Sequence, residues 1–306
     1  MKTISHSGLV LVRNCLRQYR HSYIQLRKPR SIAPALSFGS IWDKALTAWH
    51  HGKNPFDRLV RGDGVLAQHP NAVQRETARA MLTGYTTMWA EHPVETVATQ
   101  VSFDVPILHP ETGEAHPEYQ FNGVLDGIVR VGGRLLGLES KTSSEDINPG
   151  SPYWQRIVTL DPQVSLYDLG ARQAGFEIEG ILYDVARKPA LKLGKTETPE
   201  AFGERCARDI QGRPDYYYQR QEVVRLESEA RAYQQDLWDY ACILSDAERL
   251  GRWPRNPDRC RQFGRACDFL PVCVGEASVD DEILYMTRER GKTDGTTRQD
   301  PERPAA

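Results

Sequence analysis

Apolar residues in the first ninety positions recur at steps of three and four, the spacing of one helix face. Helices are predicted over 9–28, 38–51 and 71–91. Pro29 and Gly52 close the first two, and Asn71 caps the third. Residues 55–70 read as a connection. From 94 to 108 the pattern changes to alternation, which predicts a strand. Two further strands, 120–131 and 134–141, are joined by Gly132-Gly133, a strong hairpin signal. A loop rich in Pro, Gly and aromatics is expected over 148–154. Asp161 and Pro162 are the N-cap and first residue of a helix running to about Ala174. A strand over 178–186, a helix over 198–211, a strand over 216–226 and a long helix over 226–250 follow. This order predicts an α/β (α+β) fold, a mixed central sheet flanked by helices. A single domain is expected over 1–287, with N-terminal helices over 1–93, a core over 94–226, and a C-terminal helix and cysteine loop over 227–275. The polar tail 288–306 is expected to be disordered.

Composition supports a substantial core: 40% of the 306 residues are apolar and 26% charged. With 39 basic against 41 acidic residues, global charge gives no sign of a polyanionic partner. Local charge does. Residues 1–42 contain no Asp or Glu but carry Lys2, Arg13, Arg17, Arg20, Arg27, Lys28 and Arg30. A second cluster holds Arg249, Arg252, Arg255, Arg259, Arg261 and Arg265. Such patches suit a phosphate backbone; a solvated helix face is the plain alternative. No apolar run is long enough to span a membrane, and Arg13 interrupts any signal-peptide core. A cytoplasmic location with reduced thiols is expected.

The chemistry concentrates in D-G-I-V-R-V-G-G-R-L-L-G-L-E-S-K, which ends at Lys141. In a strand, residues two apart share a face, so Glu139 and Lys141 point the same way and Ser140 offers its backbone carbonyl between them. Asp126 lies across from them if its strand is the neighbour. Two carboxylates and a carbonyl form a hard oxygen site suited to Mg²⁺ or Mn²⁺. A nearby Lys orients water and offsets transition-state charge. The bland reading is a turn Asp and a solvated Glu/Lys face, but Leu135, Leu136 and Leu138 make this an apolar strand. Charges at its end are costly unless paired or bound to metal.

Cys260, Cys267 and Cys273 form C-x6-C-x5-C in a segment punctuated by Pro254, Pro257, Gly264 and Pro271. In a reducing compartment this suggests metal before disulfide. Cys15 is the expected fourth ligand, because the ends of a domain often lie close together. Cys206 and Cys242 fall in predicted helices and are expected to pack as small hydrophobes. Thiolate-only ligation suits Zn²⁺ or an iron–sulfur cluster, and free thiols remain the alternative.

Taken together, R-N-C-L-R-Q-Y (13–19), F-G-S-I-W-D-K-A-L (38–46), G-V-L-D-G (123–127), G-L-E-S-K-T (137–142), Q-V-S-L-Y (163–167) and the three-cysteine loop resemble the PD-(D/E)xK nuclease superfamily. Within it they resemble RecB-like and phage-type exonucleases with an iron–sulfur cluster. The resemblance implies a restriction-endonuclease-like core and Mg²⁺- or Mn²⁺-dependent hydrolysis of DNA, with single-stranded character in the substrate. It implies a setting of recombination, repair or phage DNA metabolism, with a recombination or repair protein as a potential partner. Asp126, Glu139 and the Ser140 carbonyl would hold the metal, and Lys141 would be the catalytic lysine. Gln163 and Tyr167, one helical turn apart, would face the site and contact the strand. Cys15, Cys260, Cys267 and Cys273 would hold a [4Fe–4S] cluster, with Zn²⁺ as the alternative. Two departures stand out. Asp43 occupies the place where relatives carry a His ligand; an Asp ligates Mg²⁺ well, so Asp43 is expected to join the metal ligands with activity retained and metal preference open to change. The first cysteine gap is x6 where many relatives have x2. A DNA-binding or adaptor protein that keeps the fold without turnover is the competing reading, supported by Asp43 alone.

Overall fold

The computed structural model describes residues 1–31, 34–92, 94–262 and 264–289. Of the tail expected to be disordered, 288–306, the residues from 290 on lie outside the described residues, while Arg288 is described and its N–H donates to the Leu26 carbonyl at 2.7 Å. The chain begins with β1 (Lys2–Ser5), α1 (His6–Asn14), α2 (Leu16–Tyr19), a π-helical turn (Arg20–Ile24) and β2 (Arg27–Pro29). Then come α3 (Pro34–His50), α4 (Pro55–Leu66) and α5 (Ala72–Met88). The strands β3 (Glu95–Leu108), β4 (Ala115–Val131) and β5 (Arg134–Ser143) precede α6 (Pro152–Leu160) and α7 (Pro162–Gln173). After these come β6 (Ile181–Arg187), α8 (Pro199–Gly212), α9 (Pro214–Tyr217), β7 (Tyr218–Val223) and α10 (Glu227–Leu250). A 3₁₀ turn (Pro257–Arg259), β8 (Arg261–Gln262), β9 (Arg265–Ala266), α11 (Leu270–Val274) and β10 (Tyr285–Thr287) complete the described chain.

The predicted mixed sheet flanked by helices is observed, with local differences. The strand expected over 216–226 spans only Tyr218–Val223, because Pro214–Tyr217 is helical. Residues 55–70 are mostly helix. Asn54 accepts the Asp57 N–H at 2.9 Å, Pro55 sits in the first turn, and Leu66 is buried. A cap followed by proline is a helix start, but the charged outer face of α4 obscures its short apolar stripe. The N-terminal helix breaks at Cys15, which is extended (φ −165°, ψ 108°). The 148–154 segment is a loop only as far as Ser151, and α6 begins at Pro152.

The chain forms two compact units. One comprises Met1–Ala33, Phe103–Gly123 and the described residues from Leu226 onward; the other comprises Pro34–Ser102 and Val124–Arg225. In the first unit, β1 runs parallel to the first half of β4, with Lys2 opposite Tyr119 and Ser5 opposite Asn122. Ser5 then caps α1 by accepting the Gly8 N–H at 3.2 Å. Trp253 is buried and stacks on Tyr19, and β2 pairs antiparallel with β10.

In the second unit the far end of β4 pairs antiparallel with β5 across the Gly132-Gly133 turn, both glycines at positive φ (+56° and +85°). There an ordinary side chain is strained. β5 pairs parallel with β6, and β6 pairs antiparallel with β7. One face of these strands packs on α3, α5 and α8 through Trp42, Trp49, Tyr85, Ala186, Phe202 and Tyr218. Gly84 permits the close approach of α5 and α8: a Cβ there would lie 2.4 Å from Ile210 Cγ2. On this face Asp184 is buried, and its Oδ2 accepts from the Tyr85 hydroxyl (2.5 Å) and Arg220 Nε (2.7 Å). Among the described residues no helix is long and apolar enough to cross a membrane.

Candidate active site

β5 sorts its side chains by the two-residue period. Leu136 and Leu138 enter an apolar cluster with Val94, Val129 and Leu182. Glu139 and Lys141 point to the opposite face and form an ion pair. Glu139 is 1% exposed, and its Oε2 has no hydrogen-bond partner. Asp126 sits on β4 just past the Gly127–Leu138 register pair, and its Oδ2 accepts the Ser140 N–H at 2.8 Å. Ser140 thus touches Asp126 through its amide; its carbonyl is the group expected for the metal.

The electrostatics bring a third carboxylate into the same field. Burial, then the charges of Glu139 and Asp43, push Asp126 well above the usual carboxylate range. Lys141 and the Ser140 amide oppose that rise. Asp43, half-buried on α3, is also pushed up, by burial and then by Glu139. Burial pulls the Lys141 ammonium down, but Glu139 and Asp126 outweigh it and hold the group above its ordinary value. Three mutually repelling carboxylates around one ammonium favour uptake of a further positive charge.

α7 closes the same face. Asp161 accepts the Gln163 N–H at 2.8 Å and starts the helix. Gln163 Nε2 donates to the Tyr167 hydroxyl at 2.8 Å. Tyr167 is buried; burial first, then Glu139 and Asp126, push its hydroxyl far above its usual range. The structure adds two neighbours that sequence reasoning does not single out for the site. Tyr183, opposite Glu139 in the β5–β6 register, donates to Asp161 Oδ2 at 2.5 Å. The Asp161 carboxylate in turn helps hold Lys141 charged. Tyr153 and Trp154, which follow the site in sequence, are both buried, and the Trp154 indole donates to the Ile147 carbonyl at 2.6 Å.

The first unit holds the second constellation. Cys15, Cys260, Cys267 and Cys273 line one pocket with Gln18 and Asn256. The break between α1 and α2 places Cys15 there. Asn256 Nδ2 donates to the Asn14 carbonyl at 2.8 Å, and the Arg17 N–H donates to the Pro254 carbonyl at 3.1 Å. Burial pushes the Cys267 thiol up against the opposing hydrogen bond from the Phe269 backbone, and Asp268, then Cys15 and Cys273, add to the rise. Cys273 is raised by burial and by Cys15 and Cys260, while Arg17 and Arg255 oppose the shift. Cys206 is fully buried, as expected of a packed thiol; Cys242 is half-buried on α10.

Among the described residues no three His, Cys, Asp or Glu side chains already stand at metal-holding geometry. The donor chemistry nevertheless fits a hard cation at the carboxylates, where the orphaned Glu139 Oε2 and the mutual repulsion ask for one. Four facing thiols suit a soft-ligand metal or cluster.

Solved structures similar to this chain include the following two. A candidate exonuclease from Eubacterium rectale is 11% identical with a TM-score of 0.47, the alignment covering 90% of this chain and 88% of that one. The protein SSO0001 is 16% identical with a TM-score of 0.37, covering 90% and 87%. At these values neither neighbour informs the chemistry. No curated protein matches the chain. The family model of the PD-(D/E)XK nuclease superfamily matches residues 3–274. That span takes in the Asp126, Glu139 and Lys141 constellation, and the chain belongs to the PD-(D/E)XK nuclease superfamily.

Proposed function

We infer that this nuclease hydrolyses DNA phosphodiesters with Mg²⁺ or Mn²⁺, acting as an exonuclease of the RecB-like, phage type. The observation that carries this reading is the buried Glu139, its Oε2 unpartnered, facing Asp126 and Asp43 and paired with Lys141. Asp126, Glu139, the Ser140 carbonyl and Asp43 are the groups that would hold the cation. When bound, it supplies Lewis acidity toward the scissile phosphate and lowers the pKa of a coordinated water.

The chain's own groups do the rest. Lys141, held charged by its neighbours, positions the attacking water and offsets the negative charge that develops on the phosphoryl oxygens. The Gln163–Tyr167 pair on α7 orients the strand through its amide and hydroxyl. Asp161 and Tyr183 fix that helix against β6. A role in recombination, repair or phage DNA metabolism follows from this chemistry as an expectation. Digestion of end-labelled single- and double-stranded DNA tests the reading. Stepwise shortening from an end is expected in Mg²⁺ or Mn²⁺; internal cuts alone would contradict the exonuclease assignment.

The thiol pocket is read as the seat of a [4Fe–4S] cluster that staples Cys15 to the C-terminal loop, with Zn²⁺ as the competing occupant. Protein purified without oxygen is expected to be brown, with absorbance near ~400 nm lost in Cys15→Ser. A colourless protein carrying one zinc would replace the cluster assignment. Protein with neither metal would contradict both.

A further inference from the structure

The gap between Cys260 and Cys267 is longer than a metal knuckle needs, since ligand cysteines commonly pair two to four residues apart. The added residues form a hairpin. β8 and β9 pair antiparallel, Arg261 opposite Ala266 and Gln262 opposite Arg265, and Gly264 turns the chain at φ +73°. The Cys267 N–H donates to the Cys260 carbonyl at 2.8 Å and closes the base. Two pocket thiols therefore anchor the hairpin at its root.

Residues paired across a ladder share a face, and successive residues alternate. Arg261 consequently lies on one face of the hairpin and Arg265 on the other, and both are exposed. Exposed Arg259 leads into the hairpin, and exposed Arg255 hydrogen-bonds the Cys273 carbonyl at 3.0 Å. Over residues 252–268 the chain carries five arginines against Asp258 and Asp268. Arg249 takes Asp246 at 2.7 Å, but among the described residues none of these five arginines is paired with a carboxylate. Positive charge in such excess over acids repels itself and attracts polyanions.

We propose that the Arg261–Arg265 hairpin is a groove finger for duplex DNA, its guanidinium groups meeting the phosphate backbones on either side. The proposal rests on DNA being the substrate. A two-stranded ribbon fits the major groove, and arginine grips phosphate through a planar fork of donors. Contacts to backbone alone carry no sequence information, so the finger binds any duplex.

The test uses the full chain in buffer without divalent cations, with fluorescence anisotropy on a labelled duplex and on its single strand. Each duplex phosphate contact contributes about 0.9 to the slope of log affinity against log salt. Arg261→Ala/Arg265→Ala is expected to reduce the duplex slope by about 2. Wild type then loses about tenfold more affinity than the variant between about 50 and about 200 mM salt. The single strand is expected to lose less, and Arg261→Lys/Arg265→Lys to keep the duplex slope. Arg265→Ala alone is expected to remove about 0.9, which keeps the test decisive if the double variant does not fold. An unchanged duplex slope overturns the finger. So does an equal loss on the single strand, or a loss confined to phosphatidylserine vesicles. Because no turnover is needed, wild-type protein that binds duplex but cleaves neither duplex nor single strand in Mg²⁺ or Mn²⁺ would remove the nuclease reading and leave the finger standing.

Discussion

Lys141→Ala is expected to slow DNA cleavage by about 10²–10³, the usual cost of removing one preorganised group that stabilises transition-state charge. DNA binding should persist, because Lys141 acts where charge develops during reaction. The size of the effect follows from its setting. The ammonium is paired with a carboxylate that is 1% exposed, and Asp126 and Asp161 add to the field that keeps it charged. Removing it also leaves Glu139 buried with no counter-charge, so the fold must be checked by thermal melting. Glu139→Gln supplies the complementary result, since it keeps the side chain's shape and removes a candidate metal ligand and the partner of Lys141. Both variants should fail in the same digestion assay. Wild-type cleavage in both would dismiss the site.

The second large effect is on stability. Arg220 and Asp184 are 9% and 1% exposed in their side chains, 2.7 Å apart. Arg220 also donates to the Tyr85 hydroxyl at 2.8 Å and lies 3.9 Å over the Trp89 ring. The remaining Asp184 oxygen has no partner. Breaking a buried pair by removing one member strands the other charge, at a cost of about 3–5 kcal/mol. Arg220→Met should therefore lower the urea midpoint sharply. Arg220→Met/Asp184→Leu should lose much less, because replacing both partners with apolar groups is often near neutral. Equal losses in the single and double variants would show that packing on Trp89, and not the charge, sets the stability. β6 carries Asp184 beside the strand that presents Glu139, so loosening this network also loosens the site.

The local features of the site were legible because they depend on short-range rules. Gly132-Gly133 forced the hairpin, alternation put Glu139 and Lys141 on one face, and Asp161-Pro162 marked the start of the helix carrying Gln163 and Tyr167. The neighbours supplied by long-range pairing were not legible. Tyr183 meets Glu139 only through a parallel β5–β6 pairing with two helices between the strands, and no local signal fixes such a register. Asp161 reads as a cap from sequence, and its contact with Tyr183 exists only once that register is set. α4 was missed although Asn54-Pro55 announces it, because charged residues interrupt its stripe. The break at Cys15, which brings its thiol into the pocket with the other three, has no sequence signature in a segment that is otherwise continuously helical in pattern.

The most direct measurement compares digestion of end-labelled DNA by wild-type protein in Mg²⁺, in Mn²⁺ and in EDTA, alongside Lys141→Ala. Cleavage that appears with either metal, vanishes in EDTA and is lost in the variant is the expected result. Undiminished cutting in EDTA, or no cutting by wild type with either metal, would contradict the assignment of Asp43, Asp126, Glu139 and Lys141 as a metal-dependent nuclease centre.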